Sequence, residues 1–443
     1  MNEEQKRIDR MPERRVLVLP AGTEIGLEIH AALRGCRNMK LFAAGEDISN
    51  HARFLYPEYH VVPNVHTAHW LETLVALCER LDIQYIFPAH DDVIVALSEA
   101  RNRLPATLVT SNHDACITTR SKSATYQRVA DAVRVPRLYP SAVDVTGFPV
   151  LVKPDKGQGS SHVMLINTQE QLISALASTP EPIICEYLPG EEYTVDCFSS
   201  HTQGLLFAGA RRRRRTRNGI SVNTQTEDLP EAWTLAYAIG RKLNLRGAWF
   251  FQLKRSTNGA LTLLEVAPRI AGAMAAHRVS GVNFPLLAIM DLEGANLRIA
   301  PNTMHIEMDR ALCNRYRSHI KFNTLYVDLD DTLLREDILE ESIMQVVCRC
   351  INQNIHRVLV TERGVETSEI ASKIASLFDE ILQISPDSLR SSVIRETTAI
   401  YVDNNPARRL EVGQSMHIPT FDTSMIELLQ NSAEEISLRG KAT

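Results

Sequence analysis

The chain is poor in several of the signals that place a protein quickly. It has eight cysteines in 443 residues and no Cys-x-x-Cys pair. Cys348 and Cys350 stand two apart, a spacing that suits neither a zinc site nor a redox dithiol, so buried or incidental thiols of a reducing compartment are expected. No apolar run approaches the roughly 18 to 20 residues that a membrane span needs. The charged segment Met1 to Arg15 lacks the apolar stretch of a signal peptide. Neither sign of charge dominates, with 48 Lys and Arg against 53 Asp and Glu, so no global field draws the chain to nucleic acid or an anionic membrane. A cytoplasmic protein with no membrane partner and no nucleic-acid partner is the expectation.

What is present is an α/β pattern too long for one core, so two or three compact units are expected. Short strands and helices alternate from Val16 onward, which implies a parallel sheet covered on both faces over residues 14–120. Gly22, Thr23, His90 and Asp91 fall at strand ends, the rim where such sheets bind ligands. Residues 121–300 read as a mixed antiparallel region, with an Asn258-Gly259 hairpin signal. Residues 301–322 read as a linker with room for one strand, and a fresh α/β alternation occupies 323–435. The fold class is thus α/β and α+β multidomain.

The central region carries the densest chemistry. Lys153 ends a strand and is followed by a Gly/Ser-rich turn with Gly157, Gly159 and Ser160, whose backbone N–H groups can close on phosphates while the ammonium neutralises them. A plain flexible hairpin is the alternative. Glu186, Tyr187, Leu188 and Glu192 follow; a carboxylate beside extended backbone can receive an adenine amino group, and a second can take ribose hydroxyls. They can equally be solvated acids on a turn. Gln252 and Glu265, on strands paired across the hairpin, are oxygen donors of the kind Mg²⁺ accepts, and Arg269 lies close behind.

In this order, the lysine, the Gly-rich loop, Glu-x-x-x-Gly-x-Glu, Gln252 and Glu265-x-x-Pro-Arg269 resemble the ATP-grasp superfamily, nearest the carbamoyl-phosphate synthetase large subunit and its amino-acid ligase relatives. The resemblance spans about Val16 to Asn296, including a pre-ATP-grasp parallel-sheet domain. It implies that Lys122, Lys153, Gly157, Gly159 and Ser160 contact ATP phosphates. By the same resemblance Glu186, Tyr187 and Leu188 receive adenine, Glu192 holds ribose, Gln252 and Glu265 bind Mg²⁺, and Arg269 stabilises phosphoryl transfer. Ala267 stands where that family has an asparagine ligand, a departure at the metal site.

The run Arg211 to Arg215 has three readings: a wall of the active site, a solvated strand edge, or a nucleic-acid footprint. Strand alternation places Arg211, Arg213 and Arg215 on one face, and Arg213, Arg215 and Ser221 are the candidate grips on a substrate carboxylate or acyl phosphate.

Near the C-terminus a hydrophobic strand ends in Asp328-Leu329-Asp330, two carboxylates able to share a pocket and divide nucleophile and acid roles. With strand ends at Thr361 and Asp403, this resembles the haloacid dehalogenase (HAD) superfamily, a Rossmann-like fold. The resemblance implies Asp328 as nucleophile, Asp330 as acid/base, Thr361 and Arg390 as phosphate contacts, and Mg²⁺ held by Asp328, Asp330 and Asp403. Arg390 replaces the family's lysine, and a degenerate phosphate- or metal-binding domain is the alternative. The short intervals between motifs leave no room for a cap.

The expected activity is ATP-dependent ligation of a small carboxylate to an amine or related nucleophile through an acyl phosphate, with ATP and Mg²⁺ as cofactors and a HAD-like phosphatase or phosphate-binding domain appended. An ATP-sensing module governing a phosphatase effector is the alternative. Self-association into a homo-oligomer is compatible with either.

Overall fold

The computed structural model describes residues 13–157, 159 and 162–430. The chain divides into two compact units, Met1–Leu312 and Cys313–Thr443.

Unit 1 begins with β1 (Arg14–Leu19), β2 (Met39–Gly45), β3 (Tyr59–Val61), β4 (Tyr85–Pro88) and β5 (Thr107–Leu108), a parallel sheet in the order β3-β2-β1-β4-β5. Val16, Leu17 and Val18 are fully buried, because helices cover both faces and alternation of polar with apolar residues is not needed. The order reverses between β1 and β4. The turns leaving these two strands therefore diverge and open a crevice at the sheet's carboxyl edge. Thr23 caps the helix Glu24–Leu33, accepting from the Gly26 amide at 3.1 Å. A Cβ on Gly26 would lie 2.4 Å from the Ala21 carbonyl oxygen, so this tight return admits only glycine. His90 caps the helix Asp91–Glu99 in the same rim.

Two antiparallel sheets follow. The first is β6 (Leu138–Tyr139), β7 (Val150–Pro154), β8 (Met164–Ile166) and β9 (Pro182–Glu186), ordered β6-β9-β7-β8. The second is β10 (Glu192–Ser200), β11 (Gly204–Arg217), β12 (Ile220–Glu227), β13 (Gly247–Arg255), β14 (Leu261–Ala267) and β15 (Glu307–Asp309), ordered β14-β13-β10-β11-β12-β15. Tyr193, Val195, Trp249, Phe251 and Leu263 turn to one face and pack on the helix Ala232–Lys242. The strand β12 and this helix were not anticipated from the sequence. Within the segment 301–322, read as a linker with one strand, Glu307, Met308 and Asp309 pair with Gln225, Thr224 and Asn223 as the edge strand β15, and Arg214 and Arg215 hold the two acids in ion pairs.

Unit 2 contains β16 (Thr324–Asp328), the hairpin β17 (Leu334–Arg335) and β18 (Ile338–Leu339), then β19 (His356–Thr361), β20 (Glu380–Gln383), β21 (Ala399–Val402) and β22 (Thr420–Phe421). Its five-stranded parallel sheet runs β20-β19-β16-β21-β22, again reversing beside its first strand. Asp328, Thr361 and Asp403 consequently stand together at the carboxyl ends of three adjacent strands. The edge strand β20 was missed, since it is only partly buried and carries no apolar run.

Candidate functional site

In unit 1, the face of the six-stranded sheet opposite the Trp249 core is polar. Glu192, Thr194 and Asp196 alternate with core residues along β10; Lys254, Gln252 and Phe250 stand opposite them on β13, and Arg211 stands opposite Thr194 on β11. This face closes two adjoining cavities whose shared lining includes Lys122, Gly157, Gly159, Arg213, Gln252 and Glu265.

The first cavity, about 260 Å³, gathers Lys122, Lys153, Gly157, Gly159, Glu186, Tyr187, Leu188, Glu192, Gln252 and Glu265. Ser160 lies outside the described residues. Lys153 is buried and donates to the Tyr126 hydroxyl at 3.0 Å, which in turn donates to the Leu264 carbonyl at 2.6 Å. Burial pulls this ammonium toward neutrality, and Tyr126, Cys185 and Glu265 more than reverse the pull, so it remains charged. Lys122 donates to the carbonyls of Asp155 and Gly157 at 3.2 and 3.3 Å; burial lowers its pKa against the opposing field of Glu265. Glu186 accepts from Arg134 at 2.7 Å and from the Arg137 amide at 3.2 Å, so one of its oxygens is committed to an ion pair at the cavity rim. Glu192 pairs with Arg213 at 3.1 Å.

Gln252 faces Glu265 directly across the ladder. The Glu265 carboxylate acts electrostatically on Lys122, Lys153, Arg213 and Arg269 together, which makes it the common anion of the two cavities.

The second cavity, about 350 Å³, runs from this sheet to the rim of the parallel sheet and is lined by Thr23, Glu24, His90, Asp91, Arg211 and Arg269 among others. Arg269 is tied to Asp91 by contacts of 2.5 and 3.3 Å and to the Ile270 carbonyl at 3.2 Å. Its guanidinium is thus held in place by Asp91 while it lines this cavity. Asp91 is pushed up by burial and pulled lower still by Arg269, so the pair is ionised.

The arginine run does not follow simple alternation. The register slips between Arg213 and Arg215 and again before Thr216, so Arg215 turns outward. Its side chain is 59% exposed and pairs with Asp309 at 2.9 Å, outside both cavities. Arg213 and Ser221 do line the second cavity, and Arg211 joins them. Asp91 stands on the rim where the strand ends placed it, and Arg211 points inward as strand parity requires. Glu24 was absent from the expected site, and the ion pair of Asp91 with Arg269 was hidden because 178 residues separate the two.

In unit 2, Asp328 is fully buried and neither carboxylate oxygen has a hydrogen-bond partner. Burial and the nearby Asp403 push its pKa up to about 8 against Arg390 and Arg408. Arg390, itself 1% exposed, stands 3.4 Å from Asp328 and 2.5 Å from Glu362, and leaves Nε and Nη1 without hydrogen-bond partners. Asp330 does not join Asp328: it accepts from Thr361 Oγ1 at 3.1 Å, the Glu362 amide at 2.8 Å and Arg363 at 2.8 Å. Asp403 accepts from Tyr401 at 2.5 Å and from the Asn405 amide at 2.6 Å. The expected trio of metal carboxylates is thus not assembled, because each acid but Asp328 is turned to a local donor. Among the described residues no group of three or more His, Cys, Asp or Glu side chains is arranged to hold a metal ion. Arg408, bonded to Glu362, is a further cation here that the motif reading did not include.

Residues 178–311 match the family model described as ATP-grasp in the biosynthetic pathway with Ter operon. A D-alanine–D-alanine ligase of Fusobacterium nucleatum is 32% identical over 74 residues, covering 17% of this chain and 26% of that protein. The arginine-specific carbamoyl phosphate synthase large chain of Bacillus subtilis is 27% identical over 191 residues, covering 40% of this chain and 18% of that one. The chain therefore spans about a quarter or less of the length of these curated relatives. The biotin carboxylase domain of a Hydrogenobacter thermophilus 2-oxoglutarate carboxylase, solved as a dimer with MgADP, ADP and bicarbonate, superposes with a TM-score of 0.56 at 16% identity, over 66% of this chain and 72% of that one. The fold shared with these proteins is of the ATP-grasp kind. Among the described residues no helix is long and apolar enough to cross a membrane.

Proposed function

We propose that unit 1 is an ATP-dependent ligase that joins a small carboxylate to an amine or related nucleophile through an acyl phosphate. The observation that carries this reading is the meeting of Lys122, Lys153, Glu192, Gln252 and Glu265 around one cavity that opens into a second, cation-rich one. The first is suited to a nucleoside triphosphate, and the MgADP complex of the structural relative supports the same assignment. Gln252 and Glu265 offer an amide oxygen and a carboxylate side by side. That is a donor set for Mg²⁺ that takes its remaining ligands from phosphate and water, and no protein cage is needed. Mg²⁺ bound there would neutralise the phosphate chain.

Lys122 and Lys153 offset phosphate charge, and Arg269, fixed by Asp91, keeps the boundary between the cavities positive. A carboxylate oxygen of the acid attacks the γ-phosphorus, the bond to the bridging oxygen breaks, and ADP leaves with that electron pair. The amine then attacks the acyl carbon and phosphate departs. Incubation with ATP, Mg²⁺ and mixed acids and amines tests the reading. A condensed product found by mass spectrometry, with one ADP per product, is expected, and ADP release that no acid or amine stimulates would favour the ATP-sensor alternative.

For unit 2 we infer a capless HAD-like phosphate-ester site with Asp328 as nucleophile. The buried Asp328 carboxylate, whose oxygens accept no hydrogen bond, beside the Nε and Nη1 of Arg390, which donate none, supports it. Thr361 and Arg390 would hold the phosphoryl group, Asp330 would act as acid/base once released from Arg363, and Asp328 with Asp403 would hold Mg²⁺. Mg²⁺-dependent phosphate release from an aryl phosphate, lost in Asp328→Asn, is the test. Equal inertness of both proteins over a broad ester panel would leave a structural module.

A further inference from the structure

A buried charged trio borders the second cavity of unit 1. Asp196 is fully buried on β10 and accepts from Arg211 Nε at 2.8 Å, from Arg211 Nη2 at 3.2 Å and from His277 Nδ1 at 2.9 Å. Burial pushes the Asp196 carboxyl up, and Arg211 and His277 pull it lower still, so it is ionised. An ionised carboxylate only accepts, which fixes the proton of His277 on Nδ1.

Arg211 is 3% exposed and lines the cavity, yet its Nη1 has no hydrogen-bond partner. Two residues along the same face, Arg213 Nε is also buried and unpartnered. A guanidinium N–H taken out of water and left unmade is a standing cost, relieved only when an acceptor arrives. The support beneath is specific. Gly209 stands opposite Asp196 in the ladder, and a Cβ there would lie 2.6 Å from His277 Nε2 and 2.5 Å from Phe207. Phe207 packs edge-on against the His277 ring at 5.3 Å. Glycine therefore makes the space in which His277 reaches Asp196.

We propose that Arg211 binds the carboxylate of the acid that this site activates, with Asp196 and His277 as positioning residues that fix the plane of its guanidinium. The proposal rests on the ligase reading and deepens it. The acid is compact, since its chamber holds about 350 Å³ and is partly walled by Ile94, Phe250 and Ala271. Two of the nitrogens of Arg211 are occupied by Asp196, so the acid meets the remaining edge, and an unsupported arginine would not present that edge reproducibly.

The test uses the full chain saturated with MgADP and titrated with acetate, lactate and succinate, followed by calorimetry and thermal unfolding, with sulfate as the non-carboxylate anion. Wild type is expected to bind at least one of the acids. Arg211→Gln is expected to weaken that binding by about 10-fold to 100-fold, the worth of one charge-assisted hydrogen bond, while MgADP affinity stays within about twofold. Should Arg211→Gln fail to fold because Asp196 is left unpaired, the double variant Asp196→Asn with Arg211→Gln keeps an uncharged pair and is read in the same way. His277→Leu should weaken acid binding by about 10-fold, and His277→Asn, which returns an N–H near the Nδ1 position, should restore most of it. Acid binding unchanged in both Arg211 variants overturns the proposal, as does wild type that binds MgADP but none of the acids, or that binds sulfate equally well in place of them. Wild type that binds no MgADP takes down the ligase reading itself, which separates the two failures.

Discussion

Gln252 and Glu265 face each other across β13 and β14 at the last position before the register slips. Beyond the slip Leu253 pairs with Leu263, both in the Trp249 core, while Leu264 is left to present its carbonyl to Tyr126. The irregularity lets one strand serve the core and the cavity with consecutive residues. If these two oxygens hold the metal, Glu265→Gln should lower acid-dependent ADP formation by about 100-fold or more without unfolding the protein. Ala267 stands on the same strand opposite Phe250, so Ala267→Asn should reduce the Mg²⁺ concentration needed for half-maximal rate. Steady-state rates across an Mg²⁺ series check both, and wild-type turnover in Glu265→Gln would remove the hairpin from the metal site.

The chain from Lys153 through Tyr126 to the Leu264 carbonyl joins β7, the helix Lys122–Val129 and β14. Tyr126→Phe leaves the carbonyl and the ammonium each short of a partner, and should cost about 1–3 kcal/mol in stability. It should also loosen the lysine and raise KM for ATP more than it lowers kcat. Urea denaturation followed by tryptophan fluorescence, with parallel kinetics, separates these effects.

Arg213 and Arg215 should behave differently although only two residues apart. Arg215→Ala removes an exposed pair with Asp309 and should change stability by less than about 1 kcal/mol, with turnover unaffected. Arg213→Ala leaves Glu192 without its buried cation and should impair nucleotide binding, read as a higher KM for ATP. Equal effects would mean that the slip in β11 does not set which side chains enter the cavity.

Burial and the neighbouring Asp403 disfavour the charged form of Asp328. Its folded value near 8 lies above the roughly 3.9 of an ordinary carboxyl, so between those values the folded chain holds a proton that the unfolded chain has released. Stability from this group is full below about pH 4 and falls as pH rises toward 8. Asp328→Asn should therefore stabilise unit 2 by about 1–3 kcal/mol at pH 7 and hardly at pH 4. Hydrogen exchange of the β16 and β21 amides at the two pH values reports it, and a stabilisation that is the same at both would show that the charge is not the cause.

Local signals carried much of the architecture. The helix Glu24–Leu33 and the strands β1, β7, β10, β13, β14, β16 and β19 were legible because each is a buried run bounded by a cap or a turn residue. The Asn258-Gly259 turn announced the pairing that sets Gln252 against Glu265. What escaped was long-range or irregular. Parity predicted that Arg215 points inward, and an irregular ladder with Asp309 nearby reversed it. No local pattern could reveal that Asp91 holds Arg269, or that Asp196, Arg211 and His277 meet, since those partners are separated by 178, 15 and 81 residues in pairwise order. The Asp-x-Asp motif was read correctly as a strand end, yet sequence could not show Asp330 turned to Thr361 and Arg363.

The most direct test of the account is calorimetric titration of the full chain with ATP in the presence of Mg²⁺, set beside Lys153→Ala. The account predicts saturable binding of one nucleotide in unit 1 by the wild type, with affinity lowered by about 10-fold or more in the variant through loss of the buried ammonium. Absence of binding to the folded wild type, or binding that Lys153→Ala leaves unchanged, would contradict it.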